Sequence, residues 1–381
     1  MLIDTAVMNR LFNDLVYYVL WIMYPFAFFM HTGYFRGKQQ GPFYQSTFFL
    51  VGVRLYVFSL FWLPVYYFLP RVASVWAILY LPFYLDLSEF TGVRRSEYLK
   101  RSWLARGIAW FFNVKLVKTV DIDTESPAIL AVHHHGMLPF ASTICIGTEA
   151  RRFSEKFPAL TNRVEVAASF LFLVPFWRDL CLMASICDVN KWTFENFLRS
   201  GTTVAVFPGG AREAQYAYPD TDVLDLRRKK GFLRLSMKHN APVVPVFSFN
   251  ETDYMYQLTY DTAKRRFPLL FYLLQVYNKA TGIMMPMLLN IMPQFRAPIV
   301  TVVGAPVLFN RHTGKMVVYD QARASRLRGD AGLAPGAEEE EPSEADVLRF
   351  SDQYIAHLHT IYAENAPKYN STPGRELVIY S

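Results

Sequence analysis

From Val114 onward, short apolar runs alternate with polar segments that have helical spacing. The runs cover residues 114–120, 128–133, 203–207, 242–249 and 299–303, and the main segments between them cover residues 138–156 and 228–239. The runs have the length of strands and the segments that of helices. Strands that alternate with helices form a sheet with helices on its faces. We therefore predict an α/β domain at residues 88–328, with a central, mostly parallel sheet flanked by helices.

Two longer apolar runs, at residues 48–69 and 72–85, precede this domain. Together they are longer than an ordinary core helix, so they predict a membrane hairpin at residues 48–87. Arg54 is costly inside a bilayer and Pro64 would kink its helix, so a re-entrant hairpin stays open beside a transmembrane one. The basic residues that follow the hairpin place the α/β domain in the cytosol.

The remaining parts of the chain have less specific patterns. Residues 1–47 are expected to form an apolar helix and a loop, and whether that helix crosses a membrane stays open. Residues 267–291 predict a lipid-facing or tunnel-lining segment, with a buried helix as the alternative. The acidic, proline-containing residues 329–346 are typical of a disordered insert. Residues 347–381 predict an amphipathic C-terminal helix and a tail.

The composition favours contact with a membrane. The chain is 52% hydrophobic and 19% charged, and its formal net charge is +7. A positive charge suits anionic headgroups or a phosphate-bearing substrate, and no nucleic-acid-binding motif accompanies it, so no nucleic-acid partner is expected. Cys145, Cys181 and Cys187 are widely spaced among apolar neighbours, which is typical of reduced core thiols rather than of a nucleophile.

The run 128–133 ends in three histidines and a glycine. Because side chains alternate along a strand, His133 and His135 share one face and His134 points to the other. Gly136 allows a sharp turn beside a ligand. A histidine at a strand end suits general-base chemistry. A metal site would need a third ligand that no spacing identifies, so no metal is predicted. Satisfied core histidines are the remaining alternative.

A second strand end carries the sequence Phe-Pro-Gly-Gly-Ala-Arg-Glu at residues 207–213. Successive strand ends in an α/β protein commonly meet at one edge of the sheet, which would bring a base and the Glu213 carboxylate together. A carboxylate holds an imidazole in the tautomer that accepts a proton. Gly209 and Gly210 would let backbone amides approach a substrate. A purely structural turn is the alternative.

Several motifs, taken in order, resemble the type-2 diacylglycerol acyltransferase family, which also contains monoacylglycerol acyltransferases and wax synthases. The matching segments are His133-His134-His135-Gly136, Glu149-Ala150, Lys156-Phe157-Pro158, Pro175 to Asp179, Gly209 to Glu213, Arg227 to Phe232, Lys238 to Pro245, and Pro298 to Pro306. Each segment alone is weak, but the ordered series is specific.

The resemblance implies a membrane O-acyltransferase in which His135 is the general base and Glu213 orients it. The acceptor hydroxyl would attack the thioester of an acyl-CoA directly, so acyl-CoA is a co-substrate and no cofactor is expected. His133 would support the site by hydrogen bonding or serve only the structure. The expected substrate-binding residues are Gly136, Gly209, Gly210, Arg212, Arg227, Lys229 and Lys230. The basic run among them suits CoA phosphates or anionic headgroups, or a solvated helix start.

Three departures from the family pattern leave the acceptor open. His134 replaces the motif proline, Phe111-Phe112-Asn113 stands where the family often has Tyr-Phe-Pro, and Arg212 replaces a small residue in the Gly-Gly turn. The resemblance implies diacylglycerol as the acceptor; monoacylglycerol, a fatty alcohol, a sterol or a lysophospholipid are alternatives, as is an inactive lipid-binding protein. It also implies the endoplasmic reticulum membrane or the lipid-droplet surface as the location, membrane lipids as partners, and leaves a homo-oligomer open.

Overall fold

The computed structural model describes residues 47–281 apart from 125, 134 and 135, together with residue 289 and residues 297–318 and 341–380. The helices are α1 Thr47–Phe68, α2 Pro70–Leu85, α3 Ser88–Thr91, α4 Glu97–Lys100, α5 Trp103–Phe111, α6 Phe140–Gly147, α7 Phe153–Lys156, α8 Trp177–Met183, α9 Lys191–Arg199, α10 Gly210–Glu213, α11 Gly231–His239, α12 Tyr260–Arg266, α13 Pro268–Thr281 and α14 Glu344–Tyr369. The strands are β1 Val114–Lys118, β2 Ile129–His133, β3 Arg163–Ala167, β4 Ile186–Asp188, β5 Thr203–Val206, β6 Asp222–Leu224, β7 Val243–Phe249, β8 Ile299–Val303, β9 Val307–Asn310, β10 Lys315–Val318 and β11 Leu377–Ile379.

The chain divides into two compact units. The described part of the smaller unit is residues 47–86, 173–175 and 273–281, and the larger unit holds the rest. The sheet, the histidine strand and the Gly-Gly turn all belong to the larger unit.

The central sheet is mixed but mostly parallel. Its strand order is β1-β8-β7-β2-β5-β3-β4, and β9 and β10 extend it beside β7. The strands from β7 through β2, β5 and β3 to β4 run parallel, whereas β7 pairs antiparallel with β8 and β9. This arrangement confirms the predicted α/β fold with a central, mostly parallel sheet.

Strand β2 is buried on both faces, which explains its unbroken apolar sequence. Ile129 and Ala131 pack into one core cluster with side chains of α9, α11 and α14. Leu130 and Val132 pack into a second cluster with side chains of α6 and α7. Helices therefore cover both faces of the sheet, and the end of β2 is enclosed between them.

The C-terminal helix begins three residues earlier than the sequence predicted. Ser343 caps it, because its side chain accepts a hydrogen bond from the Asp346 amide at 3.1 Å. Residues 344–346 are therefore helical and not part of an insert, while residues 329–340 lie outside the described residues. The segment after the helix adds β11 alongside β6 in a separate two-stranded parallel sheet.

In the smaller unit, α1 and α2 form the predicted pair of helices. The Arg54 guanidinium is buried and donates to the backbone carbonyls of Tyr84 and Asp86, at 3.3 and 2.6 Å. The Phe58 and Trp76 rings stack with centroids 5.2 Å apart. A charge at Arg54 is unfavourable inside a bilayer, but here its hydrogen bonds link α1 to the C-terminal end of α2.

The described structure does not show the transmembrane form of that hairpin. Among the residues that the structure describes, no helix has both the length and the hydropathy to cross a bilayer. Helix α2 has 16 residues, which at about 1.5 Å per residue is shorter than a hydrocarbon core of about 30 Å. The first predicted helix, at residues 11–30, lies outside the described residues.

Candidate active site

The carboxyl ends of β2, β5 and β7 meet at one edge of the sheet. These strands are parallel neighbours, with Ala131 of β2 opposite Val206 of β5 and His133 of β2 opposite Phe247 of β7. The histidine motif therefore begins beside the segment that leads into the Gly-Gly turn. This confirms the expectation that the two strand ends share an edge. His134 and His135, including the proposed base, lie outside the described residues.

His133 lies under the C-terminal helix. Its Nε2 atom is 2.9 Å from the Tyr354 hydroxyl oxygen of α14, and both side chains are buried. Burial lowers the pKa of His133 to about 3, because the charged imidazolium would lose its hydration. A neutral imidazole with a hydroxyl partner suits support of the active site by hydrogen bonding. A purely structural role for His133 fits this contact equally.

Glu213 ends the short helix α10 and is buried. Its Oε2 atom accepts a hydrogen bond from the Asp225 amide at 3.1 Å. The carboxylate folds back over Gly209, where any Cβ atom would overlap it, so only glycine fits there. Gly210 has a φ of +57°, a left-handed conformation that also favours glycine. Gly209 therefore leaves room for the Glu213 side chain, and Gly210 allows the left-handed turn next to it.

Arg212 is linked to Glu213 through Asp225. Its Nε atom is 3.5 Å from Asp225 Oδ2, while the Arg212 side chain is half-exposed and Asp225 is buried. The amide of the same Asp225 holds Glu213. Arg212 thus helps to fix the turn and still has an exposed guanidinium, which is compatible with a contact to an anionic substrate.

Glu251 is a buried acid at this edge that the sequence reasoning missed. Gly136 has a φ of +58°, and a Cβ atom there would lie 2.9 Å from Glu251 Cγ and 3.0 Å from the Glu251 carbonyl oxygen. Glu251 Oε1 accepts a hydrogen bond from the Ala141 amide at 3.0 Å. Burial raises the pKa of Glu251 to about 8. The available signal was an acid two residues after a mostly apolar strand, in Asn-Glu-Thr-Asp at 250–253.

The predicted basic run occupies the turn between β6 and α11. Arg227, Arg228 and Lys229 are exposed, and Lys230 is half-buried. Lys229 also lines a cavity beside Phe207 and Pro208, whereas the other three do not. The structure therefore joins one lysine of the run to the end of β5.

Other predicted groups lie within the core. Cys145, Cys181 and Cys187 are free and buried, and burial raises the pKa of each thiol to about 12, so they are core thiols and not nucleophiles. Across the described residues, no three His, Cys, Asp or Glu side chains are grouped so that they could hold a metal ion.

Comparison with known proteins places the chain in a family. Residues 60–315 match the sequence model of a family described as diacylglycerol acyltransferase. The chain is 32% identical to diacylglycerol O-acyltransferase 2B of Umbelopsis ramanniana, over 79% of this chain and 82% of that protein. It is 30% identical to human 2-acylglycerol O-acyltransferase 3, over 70% of this chain and 76% of the relative. It is 26% identical to human acyl-CoA wax alcohol acyltransferase 1, over 84% and 92% of the two chains.

No solved structure matches this chain. The family match nevertheless covers most of the sheet and both strand ends that carry the candidate site. The chain therefore belongs to the diacylglycerol acyltransferase family of acyl-CoA-dependent O-acyltransferases.

Proposed function

We propose that this protein transfers a fatty acyl group from acyl-CoA to the hydroxyl of a neutral lipid, with diacylglycerol as the acceptor and triacylglycerol as the product. The observation that carries this proposal is the shared sheet edge, where the histidine motif after β2 and Glu213 after β5 come from parallel neighbouring strands. The relatives named above support the reaction, and the fungal one supports the acceptor.

In this mechanism His135 is the general base. It removes the proton of the acceptor hydroxyl as the oxygen attacks the thioester carbonyl, and Glu213 stabilises the imidazolium that forms. The tetrahedral intermediate then collapses, the carbon–sulfur bond breaks, and the departing CoA thiolate takes the proton from the imidazolium. No acyl-enzyme forms, which agrees with the high pKa of the buried cysteine thiols.

The remaining site residues have supporting roles. His133, neutral and bonded to Tyr354, would hold the end of β2 in place. Gly136, Gly209 and Gly210 would allow backbone amides to approach the thioester oxygen as it gains charge. Arg212, Arg227, Lys229 and Lys230 would offer cations to the phosphates of CoA.

We also propose that the reaction takes place at the cytosolic surface of the endoplasmic reticulum membrane, with the lipid-droplet surface as the alternative. The net charge of +7 supports contact with anionic headgroups. Large apolar side chains are exposed on α2, among them Ile78, Leu79 and Phe83. Exposed apolar surface of this kind is typical of a membrane or protein contact.

The acceptor is tested by a substrate panel. The full chain, in membranes or in detergent with added lipid, receives labelled oleoyl-CoA and one of diacylglycerol, monoacylglycerol, a fatty alcohol, a sterol or a lysophospholipid, and thin-layer chromatography separates the products. We expect triacylglycerol as the main product. A dominant product from another acceptor would replace diacylglycerol, and the absence of any acyl transfer would contradict the enzymatic proposal.

A further inference from the structure

A cavity of about 340 Å³ opens beside the carboxyl end of β5. Its walls are largely apolar and include Phe194 of α9, Phe207 after β5 and Phe232 of α11. Its volume lies in the range of small-molecule binding sites. Phe207 and Pro208 line it directly before the Gly-Gly turn, so the cavity adjoins the candidate active site along the chain.

Three cations line the same cavity. They are Lys191 at the start of α9, Lys229 in the basic turn and Arg234 on α11. Lys191 and Lys229 are exposed and Arg234 is half-buried. An apolar interior with several cations suits an elongated ligand that carries both uncharged segments and phosphates. Acyl-CoA, the donor in the proposed function, has this combination.

Two of these cations already form ion pairs with carboxylates of the chain. Glu341 Oε1 lies 3.4 Å from Lys191 Nζ and 3.1 Å from Lys238 Nζ. Glu344 pairs with Arg234. Pairing with Lys238 and Lys191 lowers the pKa of Glu341, so the group is ionised at neutral pH. Glu341 is the last residue of the acidic run Glu338-Glu339-Glu340-Glu341, and Glu344 is the first residue of α14.

We propose that this cavity binds the pantetheine arm and phosphates of acyl-CoA, and that Glu341 and Glu344 compete with the phosphates for Lys191 and Arg234. Glu341 and Glu344 are then competitors of the donor. Because CoA carries several negative charges on its phosphates and Lys229 adds a third cation, the donor can displace these two carboxylates. This inference rests on acyl-CoA being the donor, as the proposed function states.

The competition is tested with Glu341→Gln/Glu344→Gln in the full chain. Coenzyme A binding is measured by calorimetry, and KM and kcat are measured with oleoyl-CoA. We expect the Kd for coenzyme A and the KM for oleoyl-CoA to fall about two- to fivefold, which is the effect of one or two exposed ion pairs, with kcat unchanged. Glu364→Gln, which removes an exposed negative charge from the same helix, should change neither value. Equal behaviour of the two variants would overturn the competition.

The site itself is tested with Lys229→Ala/Arg234→Ala, using Lys315→Ala/Arg349→Ala as a control pair with exposed side chains elsewhere. We expect the first variant to raise the Kd for coenzyme A at least fivefold and the control to leave it unchanged. Unchanged binding in both would overturn the proposed site, even if acyl transfer were normal. Binding of coenzyme A that depends on Lys229 and Arg234, in a chain that acylates no acceptor, would support the site and contradict the proposed function.

A lipid headgroup is the other possible source of a phosphate that binds these cations. Binding to vesicles of phosphatidylcholine with and without phosphatidylserine distinguishes a headgroup from coenzyme A. If Lys229→Ala/Arg234→Ala weakened binding to the anionic vesicles but not to coenzyme A, these cations would serve a membrane surface, and the donor proposal would be wrong.

Discussion

Gly136 shows how closely the end of β2 is packed. The glycine follows the three histidines with a positive φ, and Glu251 fills the space where a side chain would lie. The Glu251 carboxyl in turn holds the Ala141 amide at the start of α6. The buried Glu251 therefore holds the turn after the histidine motif in place, by packing against Gly136 and accepting the Ala141 hydrogen bond.

We predict that Gly136→Ala destabilises the protein and removes most activity. The left-handed backbone and the overlap with Glu251 should together cost about 1–3 kcal/mol. Urea unfolding and acyl-transfer rates measure the two effects. Gly107→Ala is the control, because nothing lies within 4 Å of a Cβ there and α5 should gain stability from alanine. Similar loss in both variants would show that Gly136 has no special position.

We predict that Glu251→Gln makes stability less dependent on pH. Burial raises the folded-state pKa of Glu251 from the usual 4.5 to about 8, so between these values the folded protein keeps a proton that the unfolded chain has lost. The stability contributed by this group is therefore full below pH 4.5 and falls as pH rises to 8, with a slope of up to about 1.4 kcal/mol per pH unit.

Urea unfolding at pH 5 and pH 8 provides the test of this slope. The glutamine variant should lose less stability than the wild type between the two values. Glu165 remains in both proteins and has a pKa raised by burial to about 7, so it acts as a common background. An identical pH dependence in the two proteins would mean that Glu251 is ionised in the folded state.

At the scale of elements, the sequence predicts best those strands in which apolar residues dominate. Strands β2, β5, β7 and β8 were predicted because both faces of each are buried and no charge interrupts them, and β1 was predicted although it contains Lys115 and Lys118. Strand β3 was missed because Arg163 and Glu165 break its apolar pattern. In the structure these charges are buried, where Arg163 pairs with Glu149 at 2.9 Å and Glu165 accepts from Thr143 at 2.8 Å.

The candidate site, like the sheet, was predictable from the sequence only in part. The alternation of strands and helices makes it expected that the carboxyl ends of β2 and β5 lie at one edge, as their parallel pairing shows. The contribution of Tyr354 was not expected, because it comes from α14, more than two hundred residues after His133, and no local pattern marks a tyrosine as a histidine partner. Likewise, the single helix predicted at residues 138–156 is two short helices, α6 and α7.

The C-terminal segment after α14 is fixed by one cation. Arg375 is buried and contacts the carboxylates of Asp222 and Asp253, at 3.5 and 2.8 Å, beside the β6–β11 pair. We predict that Arg375→Ala costs about 3–5 kcal/mol, because it removes the positive charge that balances the buried carboxylates of Asp222 and Asp253. Urea unfolding measures the loss. Arg349→Ala removes an exposed ion pair with Asp346 and should cost under about 1 kcal/mol. A comparable effect of both variants would contradict this role.

At the scale of the whole molecule, the α/β sheet places the family's motifs on one edge. The basic turn joins that edge through Lys229 and the cavity, and Glu341 and Glu344 pair with Lys191 and Arg234, the two other cations of the cavity. The two proposals therefore concern neighbouring parts of one surface: the reaction at the ends of β2 and β5, and control of the donor at the cavity.

The central claim is that His135 is the base that acylates diacylglycerol. Its most direct test is the rate of triacylglycerol formation from labelled oleoyl-CoA and diacylglycerol by wild type, His135→Ala and His312→Ala, with equal amounts of folded protein. His312 is an exposed histidine between β9 and β10 and serves as the control. We predict that His135→Ala lowers the rate by about 10²- to 10⁴-fold and His312→Ala leaves it unchanged. A His135→Ala protein that forms triacylglycerol at the wild-type rate would contradict the account.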